Sequence, residues 1–267
     1  MTAIPSPHNA LTEIGRAALR WFTGWWHIVH LGAGILMLAL SPSSYDRAQR
    51  SAMARHIYVG TAPILPWFTV LSSLISLVII RIVVVTALGY GLSKYALEMV
   101  VRMLVLELIP LTSAIFVALR CAIPNAAEIA GMRTRGGFSA LAQAGTNSLQ
   151  REVLPRAVAS LFSVLMLAGV ACVVTLLLAY LSVHGIEAGA FSGYTRTVGR
   201  VFSPAVALIF ALKTFLFGLA VALIPLATVL FEGAASRPGV SAELQGLVRL
   251  FMVILLIEVA SLIGNYY

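Results

Sequence analysis

The chain has 267 residues, of which 60% are hydrophobic and only 10% charged, a balance that excludes an ordinary soluble domain. Its formal charge of +8 rests on arginine, because Lys94 and Lys213 are the only lysines. The arginines are scattered between apolar runs, as positive-inside loops and anionic headgroups require, and this excludes a nucleic-acid-binding face. Several runs approach or exceed the ~20 residues that a helix needs to cross ~30 Å of hydrocarbon. The short alternating segments of a membrane barrel do not occur. The expected class is an all-α integral membrane protein.

MTAIPSPHNALTEIG lacks the basic start and apolar core of a cleavable signal, so the mature chain is expected to begin there. Residues 11–40 open amphipathically, with Arg16 and Arg20 followed by Trp21, Trp25, Trp26, His27 and His30. Tryptophan prefers the headgroup level, which predicts an interfacial helix here. Ile28 to Leu40 is apolar but only about half a bilayer long, so it reads as a continuation or a re-entrant elbow. Residues 1–62 are therefore taken as a cytoplasmic or interfacial amphipathic region. Residues 63–267 are taken as a domain of five spans.

The spans are predicted at about residues 63–88, 99–119, 157–181, 204–231 and 247–264. Between the second and third lies the longest polar interval, about 121–156, bordered by Arg120 and containing Arg133, Arg135, Arg151 and Arg156. The positive-inside tendency puts it in the cytoplasm, with the N-terminus on that side and the C-terminus outside. Pro124, followed by NAAEIAGMR, predicts a short helix with proline near its start, Glu128 in its early turns and Arg133 near its end. Gly136 and Gly137 would stop it. Such a helix is what a membrane protein needs to take force from a soluble motor. A solvated loop helix is the plainer alternative.

An ionised group at the bilayer centre costs roughly 2.5–3.5 kcal/mol on insertion scales and is by default a functional candidate. Arg81, Arg102 and Glu258 lie near enough to span ends to snorkel, and Glu98 is placed to pair with Arg102 four residues on. Glu107 and Lys213 lie too deep for that. They form a structural bridge across two helices, or they line a hydrated pocket for an amphipathic substrate. Pro110 removes a backbone hydrogen bond beside Glu107 and suits a cavity wall.

Other chemistry is missing from the sequence. Lys94 follows Ser93 and Lys213 follows Leu212, so neither completes a P-loop, and ATP hydrolysis is expected from a separate subunit. There is no HExxH or GxSxG, hence no visible catalytic set. No metal or cofactor is predicted: the His27–His30 spacing reads as structural, and Cys121 and Cys172 read as packing residues.

The stretch ELIPLTSAIFVALRCAIPNAAEIAGMR, from Glu107 to Arg133, resembles the MlaE/YrbE family of permeases, whose pattern has an E-L-G-P start, an A-G-R middle and an A-E-I-G-x-M-R end. The matched positions are Glu107, Leu108, Pro110, Arg120, Ala127, Glu128, Ile129, Met132 and Arg133. A second patch, RHIYVGTAPILP, resembles the segment leading into the family's first span. Ile109 and Leu119 replace family glycines, and Thr134 to Gly137 depart from the residues usual after M-R, so the chain looks like a divergent member. The resemblance implies a permease subunit of an ABC transporter that moves phospholipid or a related lipid between membranes. It implies an inner-membrane homodimer working with an ATPase and a periplasmic MCE-domain protein. It puts Glu128, Met132 and Arg133 on the coupling helix that contacts the ATPase, and makes Glu107, Pro110 and Lys213 candidates to line the lipid cavity. The competing readings are a secondary transporter or channel using Glu107 as an ion or proton site, and an assembly subunit without transport.

Overall fold

The structure is a computed structural model that describes residues 7–41, 47–143, 149–231 and 242–266. The expected chain start at Met1 and part of the 121–156 interval, residues 144–148, lie outside the described residues. All regular structure among the described residues is helical: α1 (Pro7–Leu40), α2 (Arg47–Thr61), α3 (Leu65–Gly89), α4 (Ser93–Val100), α5 (Ile109–Val117), α6 (Ile123–Thr134), α7 (Gly137–Gln143), α8 (Leu154–His184), α9 (Phe191–Val201), α10 (Pro204–Phe231) and α11 (Ala242–Tyr266). Wider π-helical turns cover Val101–Leu108, Ala118–Ala122 and Leu149–Val153.

Six helical stretches are long and apolar enough to cross a membrane, one more than the sequence reading counted. The addition is Thr23–Leu40. Counting unbroken apolar letters left Ile28 to Leu40 too short, whereas α1 is one continuous helix. Ile28, Leu31 and Ile35 form its buried stripe, while Val29, Leu36, Met37 and Leu40 face outward. The stripe lies on α10, where the His27 ring stacks on Phe231 at 4.6 Å and a Cβ at Gly32 would stand 3.1 Å from Leu223 Cδ1.

The second span also extends beyond its predicted end. Helical residues run without a break from Ser93 to Thr134 through α4, a π segment, α5, a second π segment and α6. The short helix expected after Leu119 is therefore the continuation of the span. Pro124 sits in its first turn and Arg133 in its last, and Gly136, at φ +75°, ends it. A similar device reverses the chain after α3. Gly91 adopts φ +71° while Leu92 N–H donates to Ala87 O at 2.7 Å and Gly91 N–H to Leu88 O at 3.1 Å, the paired bonds of a Schellman end.

α8 is the axis of the bundle and packs against α2, α3, α5 and α10. Its buried face is mostly small: Ala157, Ser160, Val164, Ala168, Ala171, Thr175 and Ala179 recur at helical spacing. With little hydrophobic drive between helices in lipid, such residues let backbones approach and gain dispersion contact. Two hydroxyl pairs tie the elements, Thr61 to Ser163 at 2.8 Å and Ser76 to Thr175 at 2.9 Å. Cys121 and Cys172 are free and buried, as packing residues. The interval between the third and fourth predicted spans carries α9, whose Tyr194 and Val201 are buried while Arg196 and Arg200 face outward. Tyr194 donates to Leu176 O at 2.7 Å, and burial pushes its phenol up to about 12.

α8 and α10 approach closely at Gly218, where an added Cβ would lie 2.5 Å from Leu161 Cδ1 and 3.4 Å from Leu161 O. Gly218→Leu is expected to lower stability by about 1–3 kcal/mol through overpacking, and Gly218→Ala by less, because only the mobile end of Leu161 must move. Thermal unfolding in detergent checks the ranking, and equal melting temperatures for all three proteins would contradict this packing.

Candidate functional site

Glu107 lies in the π-helical turn Val101–Leu108, Lys213 in the middle of α10 and Glu258 in α11. Lys213 pairs with Glu107, and its Nζ lies 2.9 Å from Glu258 Oε2. Asn265 Nδ2, also on α11, donates to Glu107 Oε1 at 3.2 Å. The Lys213 side chain is 1% exposed, against 14% and 13% for Glu107 and Glu258. The ammonium is thus enclosed by three elements, while the carboxylates keep a narrow open side. With both ionised, two carboxylates against one ammonium leave a formal excess of one negative charge.

Pro110 contributes through the backbone. It has no N–H to offer the carbonyl of Leu106, four residues earlier, and Lys213 Nζ donates to that oxygen at 3.3 Å. Cys172 Sγ lies 3.9 Å from the neighbouring Val105 carbonyl. Pro110 itself is buried at the start of α5. The π turn and the proline together free carbonyls that an uninterrupted α-helix would occupy. Lys213 therefore satisfies its ammonium with two carboxylates and a main-chain oxygen, the arrangement a buried cation needs.

The structure brings Glu107 and Lys213 together, as the sequence allowed, and adds Glu258 and Asn265, which the sequence reading did not place there. Glu258 does not snorkel. It shares an inward stripe with Leu250, Ile254 and Ser261, all buried, and the spacing of Glu258, Ser261 and Asn265 along one helical face was the readable signal.

Glu128, Met132 and Arg133 form a separate group on α6. Glu128 is exposed and pairs with Arg156 Nη2 at 3.4 Å. Arg156 is buried and bonds Glu152 Oε2 at 2.6 Å, and Gln49 Nε2 reaches Gln150 O beside it. Met132 packs on the core. Arg133 Nη1 donates to the carbonyls of Val229, at 3.1 Å, and Leu230. It thereby occupies the C-terminal end of α10, where a cation offsets the helix dipole. Arg133 has an internal structural task, and Glu128 is the member of the three that presents itself outward. The Glu107–Lys213 and Arg133–Leu230 links join the same two rods at points about 26 Å apart along α10, at 1.5 Å per residue.

Removing one partner from a buried ion pair typically costs about 3–5 kcal/mol, whereas replacing the whole group by apolar residues is often neutral. Lys213→Met is therefore expected to destabilise strongly, and Lys213→Met combined with Glu107→Leu and Glu258→Leu to recover much of the loss. Denaturation in detergent micelles measures this, and a triple variant as unstable as the single one would show that charge isolation is not the cause.

A family profile described as Permease MlaE matches residues 53–263, most of the chain. No curated protein matches it. The matched region contains Glu107, Lys213, Glu258 and all of α6. The chain therefore belongs to the MlaE permease family, the membrane permeases of lipid ABC transporters.

Proposed function

We propose that this permease acts as a homodimer in the inner membrane, with an ATPase and a periplasmic MCE-domain protein, to move phospholipid or a related lipid between membranes. Permeases of this family work with ATPase and MCE partners in general. The observation that carries the reading is the enclosed Lys213, held by Glu107 and Glu258 among membrane-spanning helices. An ammonium and two carboxylates with a narrow open side can exchange partners with a zwitterionic or anionic headgroup. Lys213 would meet its phosphate, and the freed carboxylate would keep a hydrogen bond from Asn265.

Motion would reach that cluster through the two rods. The Ser93–Thr134 helix carries Glu107 at one level and Arg133 at the other, and α10 carries the partner of each. A push on α6 from an ATPase docked around Glu128 and Met132 would shift α6 against α10. That shift would load the Glu107–Lys213 link. In this arrangement α1 lies along the interface and five helices cross, so the arginine-rich ends of α6 and α8 face the cytoplasm together with the N-terminus, and the C-terminal end of α11 faces the periplasm.

Glu107→Ala with Lys213→Ala is expected to slow lipid transfer at least tenfold in a reconstituted system while the subunits still co-purify. Unchanged transfer would remove the assigned role. Co-purification without a Walker-motif ATPase would favour an ion-coupled transporter using Glu107. Glu128→Lys, which reverses an exposed charge on α6, is expected to lower lipid-stimulated ATP turnover several-fold with little change in melting temperature. Normal turnover and an unaltered pull-down would place the docking surface elsewhere.

A further inference from the structure

Two carboxylates, Glu107 and Glu258, meet a single ammonium in the Lys213 cluster, and the side chain that carries it is 1% exposed. Where two carboxyl groups share a site, the charge on the first disfavours ionising the second. The charged groups that face Glu258 are Lys213 from α10 and Glu107 from the π turn. Arg102, on the same rod as Glu107, is taken by Glu98 at 3.1 Å. α6 touches α11 and carries Arg133, but that side chain sits on the Val229 and Leu230 carbonyls, about 26 Å from Lys213 along α10 at 1.5 Å per residue. On α11 itself, Arg249 precedes Glu258 by about 13.5 Å of helix. One positive charge therefore answers two acids.

The hydrogen-bond count there is also short of a donor. Glu107 is satisfied as a carboxylate: Oε2 takes Lys213, and Oε1 takes Asn265 Nδ2 at 3.2 Å. Glu258 Oε2 lies 2.9 Å from Lys213 Nζ but off the line of a hydrogen bond. Ser261 Oγ, on a residue 8% exposed, and Asn265 Oδ1 are likewise buried, with no hydrogen-bond partner among the described residues. Glu258, Ser261 and Asn265 recur at i, i+3 and i+7 on the inward face of α11. With Glu258 ionised, the Ser261 hydroxyl carries the one hydrogen among these three oxygens. A proton on Glu258 adds a second, so that the carboxyl can donate to the hydroxyl and the hydroxyl to the amide oxygen.

We infer that the cluster is a proton-binding site: one proton, taken up from water along the narrow open side, resides on Glu258 while Glu107 stays ionised against Lys213. A bare metal cation fits less well, because the ammonium already touches both carboxyl groups and would repel it. The proton cancels the excess negative charge that costs most within the membrane. It also removes a charge that would repel an anionic headgroup; that consequence rests on the transport role of Lys213, and the proton site does not.

The test uses the full chain, labelled with carbon-13 at the glutamate side-chain carboxyls, reconstituted in phosphatidylcholine nanodiscs and titrated by carbon NMR. Of its nine glutamates, one is expected to stay protonated at neutral pH, after the others have lost their protons in the ordinary carboxylate range. Glu258→Gln should leave no protonated signal, and neither should Glu107→Gln, which sets one carboxylate against one ammonium. Nine ionised glutamates in the native chain, an outcome read without any substitution, would overturn the assignment, as would a protonated signal that survives Glu258→Gln. A signal lost in Glu258→Gln but kept in Glu107→Gln would trace it to burial of Glu258 alone and overturn the shared charge count. Loss of the signal when sodium chloride replaces choline chloride would make this a metal-cation site instead. None of these readouts involves lipid transfer, so failure here is distinct from failure of the transport role.

Discussion

A lysine ammonium that cannot reach water is the constraint around which this bundle is arranged. Lys213 is too far inside α10 to snorkel, so its charge must be met by groups delivered from other helices. Glu107 comes from the second span and Glu258 from the last, and Pro110 leaves the Leu106 carbonyl available as a further acceptor. Three segments distant in sequence are thereby held in one register. A helix that slid or rotated by a residue would strand a charge in a region where an unpaired one is costly.

The rest of the packing is consistent with that register but does not by itself impose it. Small residues along α8 and Gly218 on α10 allow close approach, and contacts of that kind tolerate modest sliding. The polar links do not. The hydroxyl pairs from α2 and α3 to α8, and Arg133 on the last carbonyls of α10, have fixed partners. The Arg133 link repeats at one end of α10 what the Lys213 cluster does in its middle: a cation from one rod is held by acceptors on another.

Family membership and geometry meet in these two rods. The region shared with the family begins in α2 and ends in α11, so it includes both ends of every polar link just described apart from the Asn265 contact. The coupling proposed above would need a stiff path from an exposed helix to a site within the membrane. The unbroken helix from Ser93 to Thr134 supplies one. Its two π segments lie where Glu107 and Arg120 leave the rod, each beside a proline, and π turns of this kind frequently mark functional positions.

The class, the five main spans, Glu107 and Lys213 as the deep charges, and Pro110 as a disturbance were all legible in the residues, because hydrophobic length and charge cost are local properties. The Glu98–Arg102 pair, at 3.1 Å, was legible for the same reason. What the sequence by itself could not determine was which distant groups answer one another. Glu258 looked able to snorkel because its distance from the span end was counted and its helical face was not. Arg133 looked like a surface residue because its acceptors belong to a helix about 96 positions away in sequence. The sixth apolar helix and the continuity of α6 with the second span were hidden because polar letters do not interrupt a helix whose neighbours or headgroups can satisfy them. Only the tertiary structure decided these points, since pairing across helices depends on rotation and depth, and neither can be read from composition along one strand of sequence.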